Sequence, residues 1–186
     1  NGEVIVITKA GLESHRPFPK RAARPCIFEY IYFSRPDSVI GGRSVYDIRK
    51  QMGVQLAKEA PAPADVIVPI PDSGVPAAIG FAQQSGIPFE LGIIRNHYVG
   101  RTFIEPSQRI RDLGVKLKHS ANRGVISGKR IVLIDDSVVR GTTSKKIVQL
   151  MYDAGAKEVH MRISSPPITH PDYYGIDTPD KAKLLA

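Results

Sequence analysis

The sequence predicts an α/β fold, a mostly parallel central sheet flanked by helices, with a flexible lid loop. Three observations carry that expectation. Two short apolar runs, DVIVP at 65–69 and KRIVLIDD at 129–136, have the length and β-branching of buried strands. Each is followed by a turn and then a helical period, and the order β, loop, α, β is the unit from which parallel sheets are built. Between the two units, 96–122 has a weak period, two internal glycines and much of the charge. Such a long irregular segment inside a compact domain is either a functional lid or disordered.

The elements follow in order. Glu3 to Thr8 alternates and β-branches like a strand, and the Pro/Arg-rich HRPFPKRAARP after it is a connection. CIFEYIYF, 26–33, is aromatic and reads as a strand, with a loop over 34–42 signalled by Pro36, Asp37 and the Gly41-Gly42 pair. Val45, Ile48, Met52 and Leu56 recur at spacings of three and four, with Ser44 as N-cap and Pro61 as stop, which predicts an amphipathic helix. After the strand at 65–69 come a turn at Asp72-Ser73-Gly74, a helix over VPAAIGFAQQ closing at Gly86, and a strand over PFELGII, 88–94. After the strand at 129–136 come the turn SVVRGTT, a helix over 144–154 with Ile147, Leu150, Met151 and Ala154 on one face, a cap at Gly155, and a strand over 159–163.

Composition removes several classes. With 186 residues, 42% of them hydrophobic, the chain is long enough to bury a core without staples. The single cysteine, Cys26, cannot close an internal disulfide and points to a reducing, cytoplasmic setting, as a small buried hydrophobe. No apolar run reaches the roughly 20 residues of a membrane span, so no membrane partner is expected. A net charge of +8 raises nucleic acid as a partner, but the charge is focused. Nine basic residues against two acids lie between Arg95 and Arg130, and a further excess of four lies between Lys9 and Arg24, leaving the rest of the chain net acidic by three. No nucleic-acid partner is assigned. The five histidines show no metal-ligand spacing.

The chemistry concentrates in IVLIDDSVVRGTTS, 131–144. A buried parallel strand delivers its last residues to the carboxyl edge of the sheet, where ligands sit in open α/β folds. Asp135 and Asp136 arrive there. The loop from Ser137 through Val138, Val139, Arg140, Gly141 and Thr142 to Thr143 then enters a helix whose first N–H groups suit a phosphate, with Gly141 permitting close approach. Two adjacent carboxylates need a positive or hydrogen-bonding partner. The vicinal hydroxyls of a ribose together with Mg²⁺ satisfy them, so the combination points to a phosphoribosyl group.

On these residues the run 131–144 resembles the binding signature of the type I phosphoribosyltransferases. Together with CIFEYIYFSRPDS, PIPDSGVPAA, NHYVGRTFIEPSQRIR and GAKEVHMRISSPPI, the chain from about Gly11 to Leu185 resembles the amidophosphoribosyltransferases. The resemblance implies a type I phosphoribosyltransferase fold over 26–186. Residues 1–25 would be a leading strand and linker from a glutamine-hydrolysing side, a domain this stretch lacks. It implies transfer of the 5-phosphoribosyl group of 5-phosphoribosyl-1-pyrophosphate to ammonia, released from glutamine, giving 5-phosphoribosylamine and pyrophosphate, with purine nucleotides as inhibitors and a homo-oligomeric assembly. It further implies that Asp135 and Asp136 bind the ribose hydroxyls and Mg²⁺, and that Ser137 to Thr143 hold the 5-phosphate. The loop Asp72 to Val75, with Ser73 and Gly74, would receive the pyrophosphate, with Ser73 a further Mg²⁺ ligand, and Arg95 is a further substrate-binding residue. Tyr98 to Lys118 form the lid, with Arg101 on pyrophosphate and Phe103 and Ile104 as apolar walls.

Some members of that family hold an iron–sulfur cluster, one ligand matching Cys26 and another matching Asp172. A carboxylate at the latter position argues against a cluster here. Arg35 and Asp37 are expected to fix a loop or a subunit contact. Two other functions compete: a regulatory phosphoribosyltransferase-like protein that binds nucleic acid, for which no helix-turn-helix is visible, and a nucleobase-salvage phosphoribosyltransferase, which would need an aromatic hood.

Overall fold

A computed structural model describes residues 2–22, 24–96, 119–172 and 181–185. The segment expected to form the lid, with Arg101, Phe103 and Ile104, lies outside the described residues.

The centre is a parallel sheet of β5 (Val66–Pro69), β8 (Arg130–Asp135) and β9 (Glu158–Ile163), in the order β5-β8-β9, with Val68 opposite Leu133 and Leu133 opposite Met161. Ile67 extends it by exchanging backbone hydrogen bonds with Pro88 and Glu90, at 2.8 and 3.0 Å. Every residue of β5 is buried, and Ile131, Val132, Leu133 and Ile134 of β8 are fully enclosed. Alternation divides the core between the sheet faces. Ile131 and Leu133 face Ile147 and Met151 of the helix Thr142–Asp153 and Ala154, its C-cap, while Val132 and Ile134 face Ala77, Ala78 and Phe81 of the helix Val75–Ser85. Each such large side chain contributes roughly 1.5–3 kcal/mol when withdrawn from water.

Helix α1 (Val45–Glu59) starts as expected, the Ser44 hydroxyl accepting the Asp47 N–H at 3.2 Å. Its buried face is different: Val45, Arg49, Gly53 and Ala57 point inward, and Ile48 and Met52 line an open groove. The reason is a close crossing with α2 (Val75–Ser85). A Cβ on Gly53 would lie 1.8 Å from the Ala77 carbonyl oxygen and one on Gly80 would lie 1.9 Å from that of Lys50. Two glycines thus set the approach, and the larger apolar residues are turned away from it.

Three other expectations change. CIFEYIYF is not a strand: residues Glu29–Phe33 form one wide helical turn, closed by the Ser34 N–H on the Glu29 carbonyl at 3.2 Å. Only Ile31 is buried there, so β propensity finds no sheet to join. Cys26 is exposed rather than buried. The leading strand is one half of a hairpin, β1 (Val4–Thr8) with β2 (Gly11–His15), every residue of it exposed. The Arg35–Asp37 ion pair, at 2.8 Å, spans the turn closed by the Ser38 N–H on the Arg35 carbonyl.

Small antiparallel pairs complete the description. β3 (Val39–Ile40) meets β4 (Arg43–Ser44), and β6 (Ile93–Arg95) meets β7 (His119–Ala121). The expected strand over 88–94 is therefore split, its first part touching the main sheet at Phe89 and its end forming β6. A short helix, α3 (Arg123–Ile126), precedes β8, and α4 (Thr142–Asp153) follows it. Among the described residues no helix is long and apolar enough to cross a membrane.

Candidate active site

β8 ends at the carboxyl edge of the sheet with Asp135, and Asp136 follows in the loop. The strand is held to its last residue because β9 continues beside it: the Ser164 and Ser165 N–H groups donate to the Asp135 and Asp136 carbonyls at 3.0 and 2.9 Å. The loop 137–141 then turns into α4 through Gly141, which has φ of +71°. No side chain caps α4, so its first backbone N–H groups remain available to an anion. Thr142 and Thr143 are exposed beside them, and Ser137, Val138 and Val139 are half-buried while Arg140 is exposed.

The acid pair is electrostatically loaded. Asp136 is 5% exposed, and its Oδ2 is buried without a hydrogen-bond partner. Its Oδ1 accepts the Ser137 hydroxyl at 3.2 Å, and its N–H donates to Asp135 Oδ1 at 2.9 Å. Burial, and then the neighbouring Asp136, push the Asp135 carboxyl up to about 7. Burial also raises Asp136, against the Ser137 N–H and the Ser73 and Ser137 hydroxyls, which favour its ionised form. A hard divalent cation that binds through one or two carboxylates and retains other oxygen ligands fits this donor set, since it would satisfy the orphaned oxygen and discharge both acids. Among the described residues no larger cluster of three or more His, Cys, Asp or Glu side chains is arranged to hold a metal.

The second loop faces this one from the neighbouring strand. After β5, Ile70 continues the sheet by donating to the Ile134 carbonyl at 2.8 Å, and the chain turns back through Gly74, whose N–H donates to Ile70 at 3.0 Å. A Cβ on Gly74 would stand 2.5 Å from the Ile134 carbonyl oxygen, so glycine is required for the turn to lie against the end of β8. That contact brings Ser73 to Asp136. Asp72 points outward and forms an ion pair with Arg95, the last residue of β6.

The structure therefore gathers Asp135, Asp136, Ser137, Ser73 and Gly74 around the ends of two adjacent strands, with Val138 to Thr143 as the loop and helix start beside them and Asp72 with Arg95 at the rim. Arg101 lies outside the described residues. Two participants escaped the sequence. Arg49, 4% exposed on α1, donates to the Tyr30 and Ser34 carbonyls at 2.7 and 2.9 Å. Burial lowers its pKa, and the nearby Asp136 charge opposes that shift. An arginine on a helical face that also carries Gly53 and Ala57 was the available signal. Leu185 donates its N–H to the Val139 carbonyl at 2.9 Å, and its methyls lie 3.6 Å from the Cβ position of Gly141. No local pattern announces that contact.

Residues 43–164, which hold both loops and all three strands of the main sheet, match the phosphoribosyl transferase domain. The chain belongs to the phosphoribosyl transferase family. Within it, the whole of this phosphoribosyl transferase chain is similar to amidophosphoribosyltransferases: 64% identical to that of Rhizobium etli and 60% identical to the chloroplastic amidophosphoribosyltransferase 1 of Arabidopsis thaliana. It spans 38% and 33% of those two proteins. A solved structure of the Bacillus subtilis glutamine phosphoribosylpyrophosphate amidotransferase, complexed with ADP and GMP, superposes with a TM-score of 0.81 at 54% identity, over 99% of this chain and 40% of that one. The type I phosphoribosyltransferase fold expected from the sequence is the fold observed.

Proposed function

We propose that this chain is the phosphoribosyl-transferring half of an amidophosphoribosyltransferase, converting 5-phosphoribosyl-1-pyrophosphate and ammonia to 5-phosphoribosylamine and pyrophosphate, the first step of purine biosynthesis. The observation that carries the reading is the Asp135–Asp136 pair, half-buried and buried, with one orphaned oxygen on Asp136, beside the uncapped start of α4. A carboxylate pair suits ribose hydroxyls, an open helix start suits a 5-phosphate, and their adjacency suits both on one molecule.

In this reading the residues divide the work. The α4 N–H groups, with Ser137, Thr142 and Thr143, hold the phosphate. Asp135 and Asp136 orient the ribose, and the 71–74 turn receives the leaving pyrophosphate. Mg²⁺ held by Asp135, Asp136 and Ser73 would neutralise charge on the departing group. As the anomeric C–N bond forms and the C–O bond breaks, positive charge grows on the ribose, and carboxylates beside the ribose would stabilise it. Ammonia brings its own electron pair, so no residue need act as base before attack.

The reading extends to the rest of the protein. Residues 1–25 would join a glutamine-hydrolysing domain outside this stretch, and the assembly would be a cytoplasmic homo-oligomer. The Bacillus subtilis relative was solved with ADP and GMP, which supports purine nucleotides as regulators. The test is pyrophosphate release from phosphoribosyl pyrophosphate with Mg²⁺ and ammonium at alkaline pH. Release under those conditions is expected. Turnover only when a nucleobase is supplied would move the chain to salvage, and tight duplex-DNA binding with a steep salt slope and no turnover would make it a regulator.

A further inference from the structure

The turn that receives pyrophosphate in that scheme contains Asp72, which is paired with Arg95, so that each cancels the other's charge. Asp72 belongs to the turn between β5 and α2, and Arg95 ends β6, 23 residues later. Only one guanidinium nitrogen, Nη1, is engaged by the carboxylate. The Arg95 Nε is buried and has no hydrogen-bond partner among the described residues. The guanidinium thus holds its position at the rim of the pyrophosphate turn with a donor left over, and an unpaired buried donor favours any acceptor that reaches it.

The pair is also weak enough to be exchanged. The Asp72 side chain is 59% exposed and that of Arg95 34%, and ion pairs in such surroundings contribute little to stability. A phosphate-type anion carries more charge than one carboxylate and accepts two parallel N–H bonds from a guanidinium. Asp72 is thus a local stand-in for an anion that binds the same arginine.

We propose that Asp72 is a positioning residue that keeps Arg95 poised over the 71–74 turn and yields it to the pyrophosphate group of the substrate. This rests on the proposed function. The carboxylate has two consequences: it holds the arginine in place when no anion is bound, and it competes with the anion, so that affinity for free pyrophosphate is set below the value the arginine alone would give. A site tuned in this way releases its product more readily.

The test is a double-mutant cycle read by calorimetric titration of inorganic pyrophosphate with Mg²⁺ into the chain. Asp72→Asn is expected to tighten pyrophosphate by about two- to fivefold, the scale of a partly exposed ion pair, and Arg95→Met to weaken it by more. In the Arg95→Met background, Asp72→Asn is expected to change nothing, because the competitor then has nothing to compete for. Equal tightening in both backgrounds would mean that Asp72 acts only through its general negative field, and weaker binding by Asp72→Asn would mean that it contacts the ligand directly. Either result overturns the proposal and leaves the proposed function standing. A wild-type chain that binds no pyrophosphate overturns both. Asp72 is exposed, and circular dichroism of each variant confirms that the fold is held.

Discussion

The two strand–turn–helix units at the centre of the molecule, β5 to α2 and β8 to α4, share a topology and a sheet edge, yet in the proposed reading they take opposite ends of one ligand. In the first unit the helix is buried: Ala77, Ala78, Gly80 and Phe81 are enclosed against α1 and the sheet, and the turn before it is packed against the Ile134 carbonyl. Its one acid, Asp72, is exposed and paired with Arg95. In the second unit the helix buries only Ile147 and Met151, no side chain caps its first turn, and its acids, Asp136 buried and Asp135 half-buried, form no ion pair among the described residues. A rigid, neutralised turn suits a group that must leave, and an unneutralised acid pair beside an open helix start suits the part of the ligand that is held. The contrast comes from the placement of burial, not from the topology.

Removing the charge from the second unit tests it most severely. Asp135→Asn with Asp136→Asn is expected to reduce pyrophosphate release by at least about 100-fold, the size of losing preorganised charge at a reacting centre. The same double variant is expected to be more stable to urea than the parent, since it no longer buries two acids that repel. A variant that keeps its activity would move the chemistry away from β8.

The first unit is instead expected to fail through packing. Gly74→Ala places a carbon 2.5 Å from one backbone oxygen and 2.9 Å from another, neither of which can rotate aside. Overpacking of this kind costs about 1–3 kcal/mol, to be read as a lower midpoint in urea unfolding. Because the turn carries Ser73 to Asp136, Mg²⁺ affinity is expected to fall with it. Unchanged stability would show that the turn is looser than its contacts imply.

The charge of the second unit also makes a pH prediction with a definite sign. The Asp135 carboxyl titrates near 7 when folded, against 3.8 when free. The folded chain therefore keeps a proton that the unfolded chain releases. This favours folding below the lower value and is lost as pH rises through 7. A bound Mg²⁺ reverses the preference by requiring the ionised form. The rise in Tm on adding Mg²⁺ is thus expected to be a few degrees larger at pH 8 than at pH 6, with proton uptake by the buffer on binding. Equal shifts at both pH values would place the cation elsewhere.

The same contrast explains what was legible in the sequence. The second unit is written in local signals: a continuous apolar run, two acids, a glycine and an amphipathic helix, each of which the chain obeys. β5, α2 and their turn are equally plain. What sequence could not place were features decided by distant neighbours. CIFEYIYF has the composition of a strand, but no edge is offered to it and Arg49 collects its carbonyls instead. Ile48 and Met52 have the spacing of a core face, but Gly53 and Gly80 draw the helices together on the other side. Asp72 and Arg95 each read from sequence as ligand-binding residues, and their mutual pairing depends on a turn and a strand end that only the fold brings together.

The smallest expected effect separates conformation from chemistry in the second unit. Gly141 has φ of +71°, in the region that costs a residue with a Cβ roughly 1–2 kcal/mol and costs asparagine less. Space is not the difficulty, since the nearest atoms to a new Cβ are Leu185 methyls at 3.6 Å. Gly141→Ala is therefore expected to lower stability by about 1 kcal/mol and to weaken ribose 5-phosphate binding, as the strained residue pulls the loop away from the helix start. Gly141→Asn is expected to recover most of both losses. Affinity that follows side-chain volume rather than φ preference, with asparagine worse than alanine, would mean that the phosphate meets the Cβ directly and that close approach, not backbone geometry, is why glycine stands there.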